Sequence, residues 1–167
     1  MSFELINVGI ADLKISYSPN ILRTILGSCV GICIYDNEKR IGGMAHIMLP
    51  AAKNTGGNLK KYSETAIPLM LTEMIEAGAQ IKNMTAKIAG GATMFKHSES
   101  SLMGEIGKNN IRSVKEVLAL NNIEVIAEDV GADYGRTIDF YLETGEIKIK
   151  TIGKDIPQNI QKSINKL

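Results

Sequence analysis

The 167-residue sequence has no tryptophan and only three phenylalanines. An aromatic platform on which nucleic-acid bases stack is therefore not expected. Excess charge of one sign is also missing: 19 basic residues face 18 acidic ones, for a formal net charge of +1. Such a balance gives no overall pull toward nucleic acid or an anionic membrane. No apolar run reaches the ~18 residues of a membrane span. The opening MSFELINVGIADLKI carries acidic residues where a secretory signal needs a long apolar stretch. A cytoplasmic location is expected, where thiols stay reduced. No glycine pair is followed by Lys and Ser or Thr at phosphate-loop spacing. Gly42-Gly43, Gly56-Gly57 and Gly90-Gly91 therefore read as turns or close-packing positions.

Cysteine and histidine are scarce, with two of each. Cys29, Cys33, His46 and His97 match no zinc spacing, so no metal is expected, and no motif calls for a cofactor. On one strand, Cys29 and Cys33 would lie ~13 Å apart at about 3.3 Å per residue. Two free thiols are expected, and a dithiol redox role lacks its C-x-x-C motif.

What is present suits one globular domain spanning 1–167: 44% of residues are apolar and 22% charged. FELINV and ADLKIS read as extended pieces. In RTILGSCVGICIYD, Val30, Ile32 and Ile34 alternate with Gly31, Cys33 and Tyr35. IGGMAHIML returns beside it as a hairpin with little polar character, which suits central strands of a covered sheet. Tyr62 to Ala77 reads as a helix with Ala66, Ile67, Met70, Leu71, Met74 and Ile75 inward, starting near Pro68 or kinked there and ending at Gly78. TAKIAGGATM is a strand entering a Gly-Gly turn. KHSESSLMGEIG reads as polar and irregular. KNNIRSVKEVLALNN is a second helix with Ile111, Val114, Val117 and Leu118 inward, IEVIAED a strand, and RTIDFYLETGEIKIKTI a hairpin about Thr144-Gly145. Residues 155–167 read as a short, loosely attached helix. The methionines Met44, Met48, Met70, Met74, Met94 and Met103 read as adaptable core. The mixed element order favours a compact α/β single-domain sandwich, with a mixed, largely antiparallel sheet and helices packed against it.

Chemistry concentrates around LGSCVGICIYD. Cys33, between two isoleucines, reads as a small buried hydrophobe. Cys29 follows Gly27-Ser28, a pair able to bend the chain. There the thiol sits at an element end, and backbone N–H groups can support a thiolate or an oxyanion. A thiol needs a base beside it. His46 lies on the strand expected to pair with the cysteine strand. It either bonds to backbone or partners Cys29. His97, in a polar loop, is a surface residue or lines a groove.

LGSCVGICIYD, GGMAHIMLP, KYSETAIPLMLTEM, AKIAGGATMF, IGKNNI and GADYGRTIDFYLETGEIKIK, in that order, closely resemble CheD, a family of chemoreceptor glutamine deamidases. The resemblance runs from about Leu5 to Lys150. It implies a nucleophile at Cys29 and a catalytic histidine at His46; the bend at Gly27 and Ser28 supplies the oxyanion candidates. A threonine hydroxyl used by the family falls, without a gap, on Arg23, with Thr24 one residue later. Successive strand residues face opposite ways, so the two do not simply exchange: either Thr24, the named candidate, takes the role through a shift in the strand, or the orienting group comes from elsewhere, or activity is reduced. The resemblance further implies an α/β sandwich and deamidation through a cysteine thioester. Its expected partners are chemoreceptor cytoplasmic helices and the CheC phosphatase. The substrate helix would lie in a groove bordered by loops 51–61 and 96–103. A regulatory binding partner of CheC with an idle Cys–His pair is the other reading.

Overall fold

The computed structural model describes residues 2–53, 57–94 and 101–152, with the side chains of 101–104 excepted. The strands are β1 Leu5–Asn7, β2 Asp12–Tyr17, β3 Ile21–Leu26, β4 Val30–Asp36, β5 Ile41–Ile47, β6 Met84–Gly90, β7 Glu124–Val130, β8 Gly135–Tyr141 and β9 Ile147–Ile152, and the helices are α1 Ser63–Glu76 and α2 Ser101–Leu120. The strands form two sheets, one ordered β1-β3-β8-β9 and the other β2-β5-β4-β6-β7. The α/β sandwich with packed helices is therefore present. Its strands, though, divide between two sheets rather than sharing one.

Strand alternation explains the layering. Val30, Ile32 and Ile34 of β4 join Ala45 and Ile47 of β5 in a core completed by α1 and α2. Cys33 and Tyr35, from the opposite face of β4, join Met44, Leu22, Leu26, Ile138 and Phe140 in a second core between the sheets. The central sheet is thus covered twice, which is why β4 and β5 are buried along their whole length. The stretch read as RTILGSCVGICIYD spans both sheets, with β3 in one and β4 in the other. Gly27-Ser28-Cys29 is the link between them.

Four local expectations need correction. α1 begins at Ser63, so Pro68 lies inside the helix. Its first turn is anchored instead by Ser63 N to Leu49 O at 3.1 Å, Glu64 N to Pro50 O at 3.2 Å and Ser63 Oγ to Pro50 O at 2.8 Å. Ile75 is 46% exposed rather than inward. α2 starts at Ser101, seven residues before the sequence reading placed it, and runs through Gly107. Glycine is a poor residue mid-helix. Here a Cβ at Gly107 would lie 2.4 Å from Gly91 O, so the helix needs glycine to approach the turn after β6. Of the methionines, Met44, Met70 and Met74 are core, whereas Met94 is 45% exposed. Calls on Gly56, His97 and residues 155–167 lie outside the described residues.

Candidate active site

Antiparallel register places Gly31 directly opposite His46 and Val30 opposite Ile47. One further step sets Cys29 across from Met48, diagonal to His46. Such diagonals span about 7–8 Å between Cα atoms, within reach of long and aromatic side chains. Cys29 is partly exposed and packs against the inter-sheet core, the core that holds Cys33. It thus shares the face of β4 that looks toward His46.

His46 is 2% exposed, and its Nδ1 lies 2.7 Å from Thr24 Oγ1. Thr24 belongs to β3 of the other sheet, so this contact crosses the sandwich. The threonine hydroxyl also lies 2.7 Å from Val8 O. A carbonyl only accepts, and the hydroxyl has one proton. That proton goes to Val8 O, so Thr24 Oγ1 accepts from His46 Nδ1–H. The imidazole is thereby fixed as the Nδ1–H tautomer, with the Nε2 lone pair left to act as a base. Burial lowers the His46 pKa to about 4, so the ring is neutral at neutral pH.

Arg23 points the other way. Its guanidinium forms a two-pronged ion pair with Asp139, at 2.5 Å from Nε and 2.7 Å from Nη2. Leu22, Thr24 and Leu26 are buried toward the second sheet, while Ile25, on the Arg23 side, is 62% exposed. Alternation along β3 thus brings Thr24, not Arg23, to the histidine.

The two thiols differ in kind. Cys33 is 1% exposed and its pKa is driven far up by burial. Burial also raises the Cys29 pKa, and its own backbone N–H, which favours the thiolate, offsets part of that rise. With a protonated thiol and a neutral imidazole, the resting pair is uncharged.

The bend carrying Cys29 is fastened from the turn after β6. Gly91 N donates to Cys29 O at 2.8 Å and Ala92 N to Gly27 O at 3.0 Å. Gly90 has φ +103°, and a Cβ there would sit 2.3 Å from Cys29 O. The GGA of AGGATM is therefore a cradle for the cysteine bend. Met94 lies over Gly27: a Cβ on that glycine would meet its Cγ at 3.6 Å. Asn110, fully buried on α2, donates from Nδ2 to Ser28 O at 3.2 Å and to Met48 O at 2.9 Å. Sequence reading assigned no role to it. The available signal was a polar residue at the inward spacing of Val114 and Val117. Of the loops expected to border a groove, 54–56 and 95–100 lie outside the described residues.

No helix among the described residues is long and apolar enough to cross a membrane. The profile of the family described as CheD chemotactic sensory transduction matches residues 48–151. Among curated proteins, the chain is 43% identical over 159 residues to the probable chemoreceptor glutamine deamidase CheD of Caldanaerobacter subterraneus, covering 93% of this chain and 98% of that one. It is 45% identical to the protein of the same name from Clostridium novyi, with the same coverages. It is 47% identical to that of Syntrophomonas wolfei, covering 90% and 95%. Among solved structures, Bacillus licheniformis YfiH superposes with a TM-score of 0.50 at 14% identity, over 73% of this chain and 51% of that one. Neisseria meningitidis NMB0706 gives 0.50 at 5% identity, over 78% and 64%. Those two likenesses concern the fold alone.

Proposed function

The chain belongs to the CheD family, and from that premise we propose that it is a protein-glutamine glutaminase acting on chemoreceptors, with Cys29 as nucleophile and His46 as base. The relatives named above are called chemoreceptor glutamine deamidases. The observation that carries the chemical reading is the Val8–Thr24–His46 chain of hydrogen bonds, which holds an uncharged imidazole with Nε2 unprotonated. Thr24 orients the base, as the third member of a nucleophile–base–orienter set does.

In this mechanism the Cys29 sulfur attacks the side-chain carboxamide carbon of a receptor glutamine. Because the resting pair is neutral, the thiol proton passes to His46 Nε2 as the carbon–sulfur bond forms. Backbone N–H groups at Ser28 and Cys29, in the bend that opens at Gly27, receive the developing oxyanion. The imidazolium returns the proton to the departing nitrogen and ammonia leaves, so a γ-glutamyl thioester remains on Cys29. Water then attacks that thioester while His46 takes its proton. Glutamate and the free thiol result, and the new carboxylate becomes available for methylation during adaptation.

The substrate helices lie on the cytoplasmic part of receptors, which places this activity in the cytoplasm. CheC is the proposed second partner and would cover the same side of the molecule. Its addition should slow alkylation of Cys29. The other reading, a CheC-binding protein with an idle Cys–His pair, rests on Arg23 at the ungapped threonine position; Thr24 at the histidine supports the catalytic reading.

The test is mass spectrometry of a receptor cytoplasmic fragment after incubation with the protein. A one-dalton gain on specific glutamines with ammonia release is expected, lost in Cys29→Ala and kept in Cys33→Ala. Complex formation without a mass gain would identify a binding protein instead.

A further inference from the structure

The three consecutive carbonyls of the cysteine bend are all held. Gly27 O and Cys29 O are taken by the backbone N–H groups of Ala92 and Gly91. Ser28 O, between them, is taken by the Asn110 side chain at 3.2 Å. Two of these fastenings are therefore main-chain, and the third depends on one side chain reaching over from α2. The Asn110 amide orientation follows from chemistry. Its near atom lies against two carbonyls, Ser28 O and Met48 O, and only the NH2 group can donate to both. Met48 is the residue across from Cys29 when the β4–β5 register is extended. Asn110 thus clasps both chains just where the ladder opens.

Two further facts give this clasp a chemical meaning. A trans peptide is planar, so its C=O and the following N–H point in opposite directions. Fixing Ser28 O toward α2 therefore turns the Cys29 N–H away from α2. The Cys29 backbone N–H favours the thiolate, against the burial that raises the Cys29 pKa. The other amide atom, Oδ1, is buried and has no hydrogen-bond partner among the described residues. A buried acceptor without a donor is unfavourable, so the amide keeps Ser28 O and Met48 O paired at the expense of its own Oδ1.

We propose that Asn110 is a positioning residue for acyl transfer: by holding the Ser28 carbonyl it aims the Cys29 N–H at the thiolate and at the oxyanion formed on the attacked carboxamide. This rests on the reading of Cys29 as nucleophile. Asn110 touches no reacting atom and acts through the peptide it orients. Loss of the clasp should therefore lower the chemical rate and leave receptor binding alone.

The experiment compares the parent protein with Asn110→Leu and Asn110→Asp. Two quantities are read: the pH profile of Cys29 alkylation by iodoacetamide, followed by mass spectrometry, and kcat and KM for deamidation of a receptor fragment, normalised to folded protein. In Asn110→Leu, kcat should fall 10- to 100-fold, KM should stay within twofold, and the alkylation profile should move to higher pH. In Asn110→Asp the carboxyl donates only while protonated, so alkylation relative to the parent should fall as pH rises. An unchanged alkylation profile and kcat in Asn110→Leu, or a rise in KM alone, overturns the proposal. If the leucine variant does not fold, a pH-independent ratio in Asn110→Asp overturns it. Should the parent release no ammonia, the deamidase reading fails by itself, while the alkylation profiles still decide the role of Asn110.

Discussion

Thr24 of one sheet and His46 of the other meet at 2.7 Å between Oγ1 and Nδ1, the contact that sets the imidazole tautomer. Thr24→Val keeps the shape of the side chain but leaves the His46 Nδ1–H buried without an acceptor. A stability loss of about 1–3 kcal/mol is expected, together with a roughly 10²–10⁴-fold fall in deamidation. Thr24→Ser should retain most of both. The direct check is nitrogen NMR of the labelled imidazole: the parent should show a protonated Nδ1 and a bare Nε2, and a bare Nδ1 would refute the assignment.

The pH dependence has a worked sign. His46 falls from an ordinary value of 6.5 to about 4 on folding. Between those values the unfolded chain binds a proton that the folded chain refuses. Stability should therefore drop as pH falls from 6.5 toward 4, by roughly 3 kcal/mol in all, and His46 should contribute no slope above that window. Urea titrations across pH 4–8 test this, with His46→Gln expected to lose that part of the slope. Because burial raises the Cys29 thiol, deamidation and alkylation should both climb into the alkaline range. A rate plateau already reached at pH 6 would signal a resting ion pair instead.

Gly90 is the tightest constraint on the cysteine bend. An alanine there would place Cβ 2.3 Å from Cys29 O at φ +103°. Backbone strain and overpacking together should cost about 2–4 kcal/mol. Because the displaced group belongs to Cys29 itself, the preference of iodoacetamide for Cys29 over Cys33 should shrink. Parent-like melting and labelling in Gly90→Ala would show that the bend yields without consequence.

Arg23 makes the opposite prediction. Its ion pair with Asp139 lies on the side of β3 away from Thr24. Arg23→Thr should leave kcat and the rate of Cys29 alkylation within twofold of the parent. A tenfold loss would tie the pair to catalysis by a route this geometry does not contain.

Much of this arrangement is legible in one dimension. The alternation in VGICIYD separates Ile32 and Ile34 from Cys33 and Tyr35, and those two sets do fall into two different cores. The Gly-Ser pair before Cys29 marks the thiol at an element end. The spacing from Cys29 to His46 suits neighbouring strands, because a short hairpin turn fixes their register. α2 was harder to read. Gly107 looks like a helix stop until the Gly91 turn that needs it is packed against it.

Which residues alternate, where the chain can bend and which side chains have reactive chemistry are all written locally, since these depend on neighbours one to four residues apart. Packing was needed for the rest: β3 and β4 part into different sheets, Thr24 rather than Arg23 meets His46, and Asn110 reaches back 82 positions to Ser28. Those contacts arise only when two apolar faces close on one another. A hydrogen bond across a sandwich leaves no periodic trace in the chain that makes it.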